Sequence, residues 1–578
     1  MDCMRKLLKY LKNYKLQSIL APLFKLLEVG FELFVPIVVS AIIDNGINGG
    51  EGWRYVVNAC LILVALGAVG LVSAVAAQFF AAKAAVGFSK ELRHDLFDKM
   101  QSLSYGDIDR IGTAKMITRM TSDVNQIQSG VNLVLRLFMR SPFIVFGAMI
   151  MAFVLDLVSG GVFAITITVL FIVVFAIILS SIPLYKKVQG KLDGVTASTR
   201  ETLTGVRVLR AFCKEEEEIT KYNRRNDELT KSQILVGKIS ALMNPLTYAI
   251  INAAIIVLFY VGAIKIEAGS LTQGNVVALY NYMGQILVEL IKLANLIITV
   301  TKSFACAGRV NEILEMPVDK TVKNRSERSV KDGPFIEFSE VCVNYGDAEM
   351  DALNNISFSV DRGQTVGIIG GTGAGKTTLV NMIPHFYDAK SGKVSIDGNC
   401  VTSMDDEKLR SRCGLVPQRA VLFKGTIREN MLWGKQDATD EEIMSAIRAA
   451  QAEDIIKSKT EGLDALVEQG GTNFSGGQRQ RLTIARALVK KPEILILDDS
   501  ASALDYATDA NLRKSLKELD YHPTVFIVSQ RTSSIRHADK IIVLDGGKMV
   551  GFGTHDELLK NCEIYNEIHY SQYEKEGA

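Results

Sequence analysis

Residues 370–377 form a glycine-rich run that could hold phosphate groups. The run consists of Gly370, Gly371, Thr372, Gly373, Ala374, Gly375, Lys376 and Thr377, and it fits the pattern G-x-x-x-x-G-K-[ST]. Backbone N–H groups of small residues can close around phosphate oxygens, and the N-terminus of a following helix adds partial positive charge. We therefore expect Lys376 to reach the β- and γ-phosphates of a nucleoside triphosphate and Thr377 to offer its hydroxyl to Mg²⁺.

The segments on both sides of this run supply the context that the pattern requires. Residues 365–369 are a short β-branched run typical of a buried strand. Residues 378–383 can open a helix, and Thr378 completes the candidate nucleotide-binding residues. Without these flanks a simple glycine turn would explain the run, so strand, loop and helix together favour a nucleotide site.

A second apolar run ends in two carboxylates. Residues 494–497 are Ile-Leu-Ile-Leu, and Asp498 and Asp499 follow them directly. A hydrophobic strand of this kind places its first Asp beside a bound Mg²⁺. The next acidic residue is then placed to orient or deprotonate an attacking water.

A polar glycine loop precedes this strand along the chain. It consists of Ser475, Gly476, Gly477 and Gln478, and a helical run over 479–488 follows it. A loop of this type at a helix N-terminus can form a second anion site. Taken alone, it would be explained as a glycine turn.

Length and composition indicate a membrane part joined to a soluble part. The chain has 578 residues, too many for one core, and hydrophobic residues make up 48% of it beside 22% charged residues. A net charge of +2 gives no electrostatic case for nucleic acid. The eight cysteines have neither metal-ligand spacing nor a disulfide pattern, so we expect reduced thiols.

The first half contains six apolar runs, each long enough to span a bilayer. They cover about 18–43, 56–86, 131–155, 161–184, 239–264 and 275–300. The long connections, 87–130 and 185–238, are rich in Lys and Arg, whereas the short ones are not. The positive-inside rule therefore places the long connections and both termini in the cytoplasm. Residues 1–15 are basic and amphipathic, which favours an interfacial helix over a frayed tail.

Ionisable residues lie inside these predicted spans. Glu28 and Glu32 are one turn apart in the first, Arg136 and Arg140 in the third, and Glu289 and Lys292 lie near the middle of the sixth. Such groups face a bundle interior or a watery cavity, or they pair with one another or snorkel. For Glu289 and Lys292 both explanations stay open.

The motifs and their order resemble the ATPase domain of ABC transporters. The phosphate loop, the Ser-Gly-Gly-Gln loop, the Asp-terminated strand and the run Ser502-Ala503-Leu504-Asp505 follow in that family's order. With six preceding spans, the whole chain resembles an ABC exporter half-transporter. The resemblance implies an α-helical polytopic membrane domain followed by an α/β P-loop NTPase domain. The expected bounds are an elbow helix over 1–15, the membrane domain over 16–316, a linker over 317–334 and the ATPase domain over 335–578.

The resemblance also implies roles for single residues. Tyr345 matches the aromatic residue that stacks on adenine, and Gln418 matches the glutamine that senses Mg²⁺ and faces the membrane domain. Residues 475–478 match the signature loop, which contacts the γ-phosphate on a partner's P-loop. Asp505 matches the D-loop aspartate. Residues 104–110 and 207–212 fall where the family's coupling helices dock onto ATPase domains.

Two positions depart from the family's pattern. The residue after the metal-binding Asp498 is usually Glu but is Asp499 here, and the switch position, usually His, is Gln530. An Asp carboxylate is displaced by about an ångström, which can cost about a hundredfold in rate. Both changes in one site indicate slow hydrolysis. We therefore expect a heterodimer with a related half-transporter that carries the consensus Glu and His.

The function implied by the resemblance is ATP-driven, Mg²⁺-dependent export of hydrophobic or amphipathic compounds, closest to bacterial heterodimeric multidrug exporters. The expected location is the plasma membrane of a bacterium. A lipid flippase is an alternative within the same class. An alternative from another class is a nucleotide-gated channel or regulator, in which ATP binding changes conformation with little turnover.

Overall fold

The computed structural model describes residues 2–317, 333–345 and 350–572. Their contacts divide the chain into two compact units. The first contains Met1–Ser102 and Thr113–Met316, and the second contains Leu103–Gly112 and Pro317–Ala578. The linker expected over 317–334 falls for the most part outside the described residues, and its bounds stay a prediction.

Helices account for nearly all of the described chain up to residue 317. They are α1 Asp2–Leu7, a 3-10 stretch Leu8–Tyr14, α2 Lys15–Ala41, a π-helical stretch Ile42–Asn48, α3 Trp53–Gln101, α4 Tyr105–Ile111, α5 Thr113–Thr118, a π-helical stretch Arg119–Asp123, α6 Val124–Leu137, α7 Arg140–Leu155, α8 Leu157–Thr204, α9 Val206–Ala211, α10 Glu215–Ala241, α11 Met243–Glu267 and α12 Gln273–Leu314. Short helix α4 groups with the second unit, whereas α9 stays with the first.

Six continuous helical stretches are long and apolar enough to cross a membrane, as predicted. They are Met4–Asn48, Trp53–Gln101, Thr113–Leu155, Leu157–Thr204, Glu215–Glu267 and Gln273–Leu314. Each is far longer than the roughly 20 residues that a bilayer core requires. The helices therefore extend past the apolar runs that mark the spans in the sequence.

The N-terminal segment packs against the first unit. Leu7 and Tyr10 are buried, and the ring of Tyr10 meets that of Phe88 on α3 edge-on at 6.1 Å. Such burial is incompatible with a frayed tail. The location of this segment at the membrane surface stays a prediction.

The second unit contains a four-stranded antiparallel sheet, a six-stranded sheet and a two-stranded ribbon. The strands are β1 Ile336–Val343, β2 Leu353–Val360, β3 Thr365–Gly370, β4 Ser391–Ile396, β5 Asn399–Cys400, β6 Cys413–Val416, β7 Gly425–Thr426, β8 Leu466–Val467, β9 Ile494–Asp498, β10 Thr524–Val528, β11 Lys540–Asp545 and β12 Lys548–Gly553. The helices are α13 Lys376–Asn381, α14 Asp406–Arg412, α15 Ile427–Leu432, α16 Asp440–Ala449, α17 Glu453–Lys457, α18 Gly476–Val489, α19 Tyr506–Lys517, α20 Thr532–Ile535, α21 His555–Asn561 and α22 Glu563–Gln572.

The six-stranded sheet has the order β12-β11-β3-β10-β9-β6, and only β12 runs antiparallel to its neighbour. Strands β9 and β10 are buried along their whole length, which explains their continuous apolar runs. Because the paired strands are parallel, their carboxyl ends meet at one edge. Ligands bind at that edge in open α/β sheets, and the candidate site residues follow these ends.

Arg140 lies at the centre of a buried ion cluster in the first unit. It is 7% exposed, and it donates to Glu28 and, at 3.0 Å, to Glu32, both on α2. It also donates to Glu289 on α12 at 3.3 Å. Lys292 donates to the same carboxylate at 2.7 Å. Apart from Arg136 on α6, the charges predicted inside the spans therefore pair with one another, and they tie α2, α7 and α12 together.

A cavity of about 530 Å³ adjoins this cluster. Its lining includes Glu32, Glu289 and Lys292, together with Tyr280 and apolar residues such as Val288. The two explanations left open for Glu289 and Lys292 thus both hold, because these side chains pair with each other and also line a cavity.

We predict that Arg140→Ala destabilises the protein by about 3–5 kcal/mol, since it leaves three carboxylates without their shared cation. The measurement is the free energy of unfolding in detergent. The control is Arg136→Ala, because Arg136 lies one turn earlier and has no ion pair within the described ranges. Equal destabilisation by both substitutions would contradict the central role of Arg140.

Candidate nucleotide site

The loop over residues 370–377 leaves β3 and enters α13 at Lys376, and its backbone requires glycine. A Cβ atom at Gly370 would lie 2.1 Å from the carbonyl oxygen of Leu544. Gly375 has a φ of +94°, and a Cβ atom there would lie 2.6 Å from the carbonyl oxygen of Ala352. The tip formed by residues 371–373 is exposed, whereas Ala374 is buried beneath it. The sequence therefore builds a close-packed turn with an open tip.

Lys376 and Thr377 sit at the start of α13 and contact different groups. Lys376 Nζ donates to the carbonyl oxygens of Gly370 and Gly371 at 2.9 and 2.6 Å. Burial lowers the pKa of Lys376, and the carboxylates of Asp499 and Asp498 partly oppose that shift. This ammonium group therefore lies across the loop that would surround the phosphates.

Thr377 and Asp498 bring together oxygen atoms that suit Mg²⁺. Thr377 Oγ1 donates to Asp498 Oδ2 at 3.0 Å and to Oδ1 at 3.1 Å. Burial, and then the neighbouring Asp499 carboxylate, raise the pKa of Asp498 despite this bond. Mg²⁺ binds through one or two carboxylates and substrate phosphates, so this small donor set fits the ion. When bound, it would neutralise charge on the phosphate oxygens.

Asp499 and Gln530 line one cavity of about 590 Å³. Asp499 has a φ of +46°, and its N–H donates to the carbonyl oxygen of Val528 at 3.0 Å. Burial raises the pKa of this carboxyl group. Gln418, after β6, approaches it with Nε2 at 3.4 Å from Asp499 Oδ2. The structure thus brings Gln418, Asp499 and Gln530 to the edge that also holds Asp498.

Two residues at this edge were not predicted as site residues from the sequence. Gln572, on the C-terminal helix α22, donates to the carbonyl oxygen of Gln530 at 2.7 Å. Arg531 lies with its guanidinium 5.0 Å from the ring centre of Tyr506. Both line the cavity of Asp499 and Gln530. No motif marks Gln572, because only the folding of a distant helix brings it here.

Tyr345 stands beside the phosphate loop, 41% exposed. Its hydroxyl donates to Thr378 Oγ1 at 2.9 Å, and burial raises its pKa. The ring of Tyr387 meets it edge-on, with ring centres 5.0 Å apart. The exposed part of this ring is therefore available for stacking on a base, the role that the family resemblance implies.

Tyr387, which was also not predicted as a site residue, contacts both Tyr345 and α4. Its hydroxyl donates to Asp109 Oδ2 at 2.7 Å, and the ring of Tyr105 stacks on that of Phe386 at 4.2 Å. These contacts lie inside the second unit. Residues 104–110 were expected to dock onto an ATPase domain, and here they contact Phe386 and Tyr387 of the second unit. Helix α9 groups with the first unit, so the docking expected of residues 207–212 stays a prediction.

Ser475 and Gln478 form a capping box at the start of α18. Gln478 N donates to Ser475 Oγ at 3.3 Å, and Ser475 N donates to Gln478 Oε1 at 2.9 Å. A Cβ atom at Gly477 would lie 3.0 Å from the carbonyl oxygen of Ala503. Across the residues that the structure describes, no hydrogen bond joins this loop to residues 370–377. Hydrogen bonds therefore do not hold the phosphate loop against the loop of its own chain that contains Ser475, Gly476, Gly477 and Gln478.

Asp505 caps the next helix, α19. Its Oδ1 accepts from Thr508 N at 2.7 Å, and its Oδ2 accepts from the Thr508 hydroxyl at 3.1 Å. These bonds hold the pKa of Asp505 below its usual value. The position thus has a structural role, and the catalytic role implied by the resemblance stays a prediction.

Comparison with protein families identifies both halves. Residues 18–290 match the family model of the ABC transporter transmembrane region. Residues 353–502 match a second family model, whose description is ABC transporter. The first match covers the predicted spans nearly to their end. The second covers the phosphate loop and the Asp-terminated strand.

Similar proteins span the whole chain. An uncharacterized ABC transporter ATP-binding protein, YfiB of Bacillus subtilis, is 34% identical over 100% of both chains. A putative multidrug export ATP-binding/permease protein, YgaD of the same organism, is 31% identical over 98% of this chain and 99% of its own. The solved structure of a bacterial Atm1-family ABC exporter with ATP bound aligns with a TM-score of 0.79 at 23% identity, covering 98% and 99% of the two chains. That structural likeness shows the fold.

We predict that Gly375→Ala weakens binding of a fluorescent ATP analogue about tenfold or more. A left-handed backbone costs an L-residue about 1–2 kcal/mol, and the added methyl would overlap the carbonyl of Ala352. Gly237→Ala, on α10, is the matched control, because a Cβ atom there has nothing within 4 Å, its φ is ordinary and it lies outside the phosphate loop. Similar affinities for the two variants would contradict the loop geometry.

Proposed function

The chain belongs to the ABC transporter family, and we propose that it is one half of a dimeric, ATP-driven exporter whose own ATP site binds ATP but hydrolyses it slowly. The membrane region and the ATPase module are joined in one chain, as in the full-length relatives. In this proposal the second half is a related chain.

The observation that carries the proposal is that Asp499 and Gln530 line the same cavity beside the phosphate loop. Asp499 has a carboxylate one methylene shorter than Glu, so it falls short of the position for activating water. Gln530 can donate a hydrogen bond but cannot exchange a proton at neutral pH as an imidazole does. Because both defects affect one site, they compound, and slow turnover follows.

We assign ATP binding to the residues around the phosphate loop. Tyr345 stacks on the adenine, Lys376 contacts the β- and γ-phosphates, and the loop N–H groups surround the phosphates. Thr377, Gln418 and Asp498 would hold Mg²⁺. Binding then requires none of the positions that depart from the family pattern, so the site can retain ATP without rapid hydrolysis.

The signature loop supports a heterodimer. Ser475 and Gln478 keep their capping box, and Gly477 packs closely against Ala503. An intact loop can complete a competent site on a partner that carries Glu and His at the positions of Asp499 and Gln530. The chain would then contribute to hydrolysis mainly through residues 475–478 acting in trans.

The proposed substrates are hydrophobic or amphipathic compounds. The cavity beside Arg140 combines apolar walls with Glu32 and Lys292, which suits molecules with both characters. The relative YgaD carries a multidrug export name, which favours the same class. Lipid is one such amphipath, so a flippase is the second candidate. The proposed location is the plasma membrane of a bacterium, with cytoplasmic termini.

We predict that this chain, purified alone, hydrolyses ATP about a hundredfold more slowly than a competent exporter. The measurement is phosphate release in lipid nanodiscs, with saturating ATP binding verified separately. A rate typical of a competent ABC exporter, if Asp499→Asn abolishes it, would contradict slow hydrolysis at this site.

The paired substitution Asp499→Glu with Gln530→His should raise this rate by at least about tenfold, because it restores both missing groups. The matched control is Asp437→Glu with Gln189→His, since both residues are exposed and far along the chain from Asp499 and Gln530. No gain in the paired variant would mean that the slow rate has another cause.

Proteoliposomes distinguish an exporter from a nucleotide-gated channel. With the partner half present, we expect a fluorescent amphipathic cation or a labelled lipid to accumulate against its gradient only when ATP is hydrolysed. A channel would only dissipate the gradient, and it would do so with a non-hydrolysable analogue as well. Accumulation of labelled lipid alone would favour the flippase.

A further inference from the structure

A second cavity, of about 650 Å³, lies in the ATPase unit at the edge of the sheet opposite the phosphate loop. Its walls are the C-terminal half of α19, the amino ends of β3 and β10, and the segment that follows α20. Thr365, the first residue of β3, lines it, whereas the phosphate loop follows the last residue of that strand. The cavity is therefore separate from the nucleotide site.

Positive charge dominates this cavity. Three permanent cations line it, Arg513, Lys514 and Lys517, against one carboxylate, Asp539. Asp539 Oδ2 already accepts the N–H of Thr365 at 2.7 Å. An excess of positive charge in a concave site attracts anions.

The same positive charges affect the pKa of a histidine that lines the cavity, His537. Burial, followed by the positive charges of Arg536, Arg513 and Lys517, lowers the pKa of His537. An anion bound nearby would offset only the part of this shift that the cations cause.

The three cations are incompletely paired. Arg513 contacts Asp509 at 3.2 Å and the carbonyl oxygen of Ser533 at 3.1 Å, but its buried Nε has no acceptor within the described chain. Among the residues with a described structure, Lys517 Nζ reaches only the carbonyl oxygen of His537, at 3.5 Å. The Lys514 side chain has no ion pair or hydrogen bond with any residue that the structure describes. Lys514 and Lys517 are exposed, whereas the Arg513 Nε is a buried donor without an acceptor, which is costly. The cluster can therefore receive a ligand that supplies oxygen atoms.

We propose that this cavity binds a phosphate-bearing anion that regulates the ATPase. The planar guanidinium of Arg513 and the two ammonium groups match the multiple oxygens and charges of a phosphate group. Apolar side chains of Leu516, Val525 and Ala538 also line the cavity and leave room for an organic portion. The anion is either a soluble organic phosphate or the headgroup of an anionic lipid.

The position of the cavity gives binding a consequence at the nucleotide site. Helix α19 begins at the residue after Asp505, and α20 begins two residues after Gln530. Ser534 Oγ donates to Asp509 Oδ2 at 3.0 Å, and Arg513 bonds Ser533, so the two walls are cross-linked. An anion that engages Arg513 and Lys517 changes this cross-link. Such a change would act on the two helices that follow Asp505 and Gln530.

The test uses the full chain in nanodiscs of zwitterionic lipid, with the phosphate loop saturated by a non-hydrolysable ATP analogue. Calorimetric titration with inorganic pyrophosphate at matched free Mg²⁺ should detect one site per chain. Lys514→Gln combined with Lys517→Gln should weaken it about tenfold or more, because each removed cation loses a charge-assisted hydrogen bond. Lys560→Gln, at an exposed lysine of α21, is the matched control and should leave it unchanged.

A second variant, Arg513→Lys, separates charge from geometry. It keeps the positive charge but removes the fork and Nε, and weaker pyrophosphate binding with unchanged analogue binding would support the assignment of Arg513. Absence of pyrophosphate binding, or equal binding by the wild type and the Lys514/Lys517 variant, would overturn the proposal. Repeating the titration in anionic lipid distinguishes the sources, since a lipid headgroup would compete with pyrophosphate and a soluble ligand would meet no competitor.

Discussion

The parallel pairing of β3, β9 and β10 is the constraint on which the nucleotide site depends. Val528 pairs with Ile368 on one side and with Asp498 on the other. This register brings the ends of three strands to the same level, so the phosphate loop, the carboxylates and Gln530 emerge together. A slip of one residue would turn Asp498 to the other face of the sheet.

The same edge shows how the backbone accommodates an aspartate at position 499. Asp499 adopts a φ of +46°, a left-handed backbone that Asp accepts more readily than most residues. Its N–H bonds Val528, and its carbonyl oxygen accepts the Ser502 hydroxyl at 2.7 Å. The residue therefore fits the turn whether or not its carboxylate reaches water. The backbone of this turn therefore does not depend on what the Asp499 carboxylate does.

The sequence predicted the elements better than the contacts between distant side chains. The six spans and the strand before Gly370 were predictable because hydrophobic length and glycine spacing are local properties. The cluster around Arg140 was predictable only as a set of charges inside spans, since periodicity does not say which helices face each other. Gln572 and Tyr387 carried no local signal at all. Their roles depend on the packing of α22 and α4, which only the folded chain determines.

Tyr387 explains why a short segment of the first half belongs to the ATPase unit. The segment Leu103–Gly112 is joined covalently to α3 before it and to α5 after it. Within the second unit, Asp109 accepts the Tyr387 hydroxyl, and Tyr387 in turn packs edge-on against Tyr345. A base that stacks on Tyr345 must fit the ring position that Tyr387 and Thr378 set. The residue expected to stack on adenine is thus two contacts away from a segment that is continuous in the chain with α3 and α5.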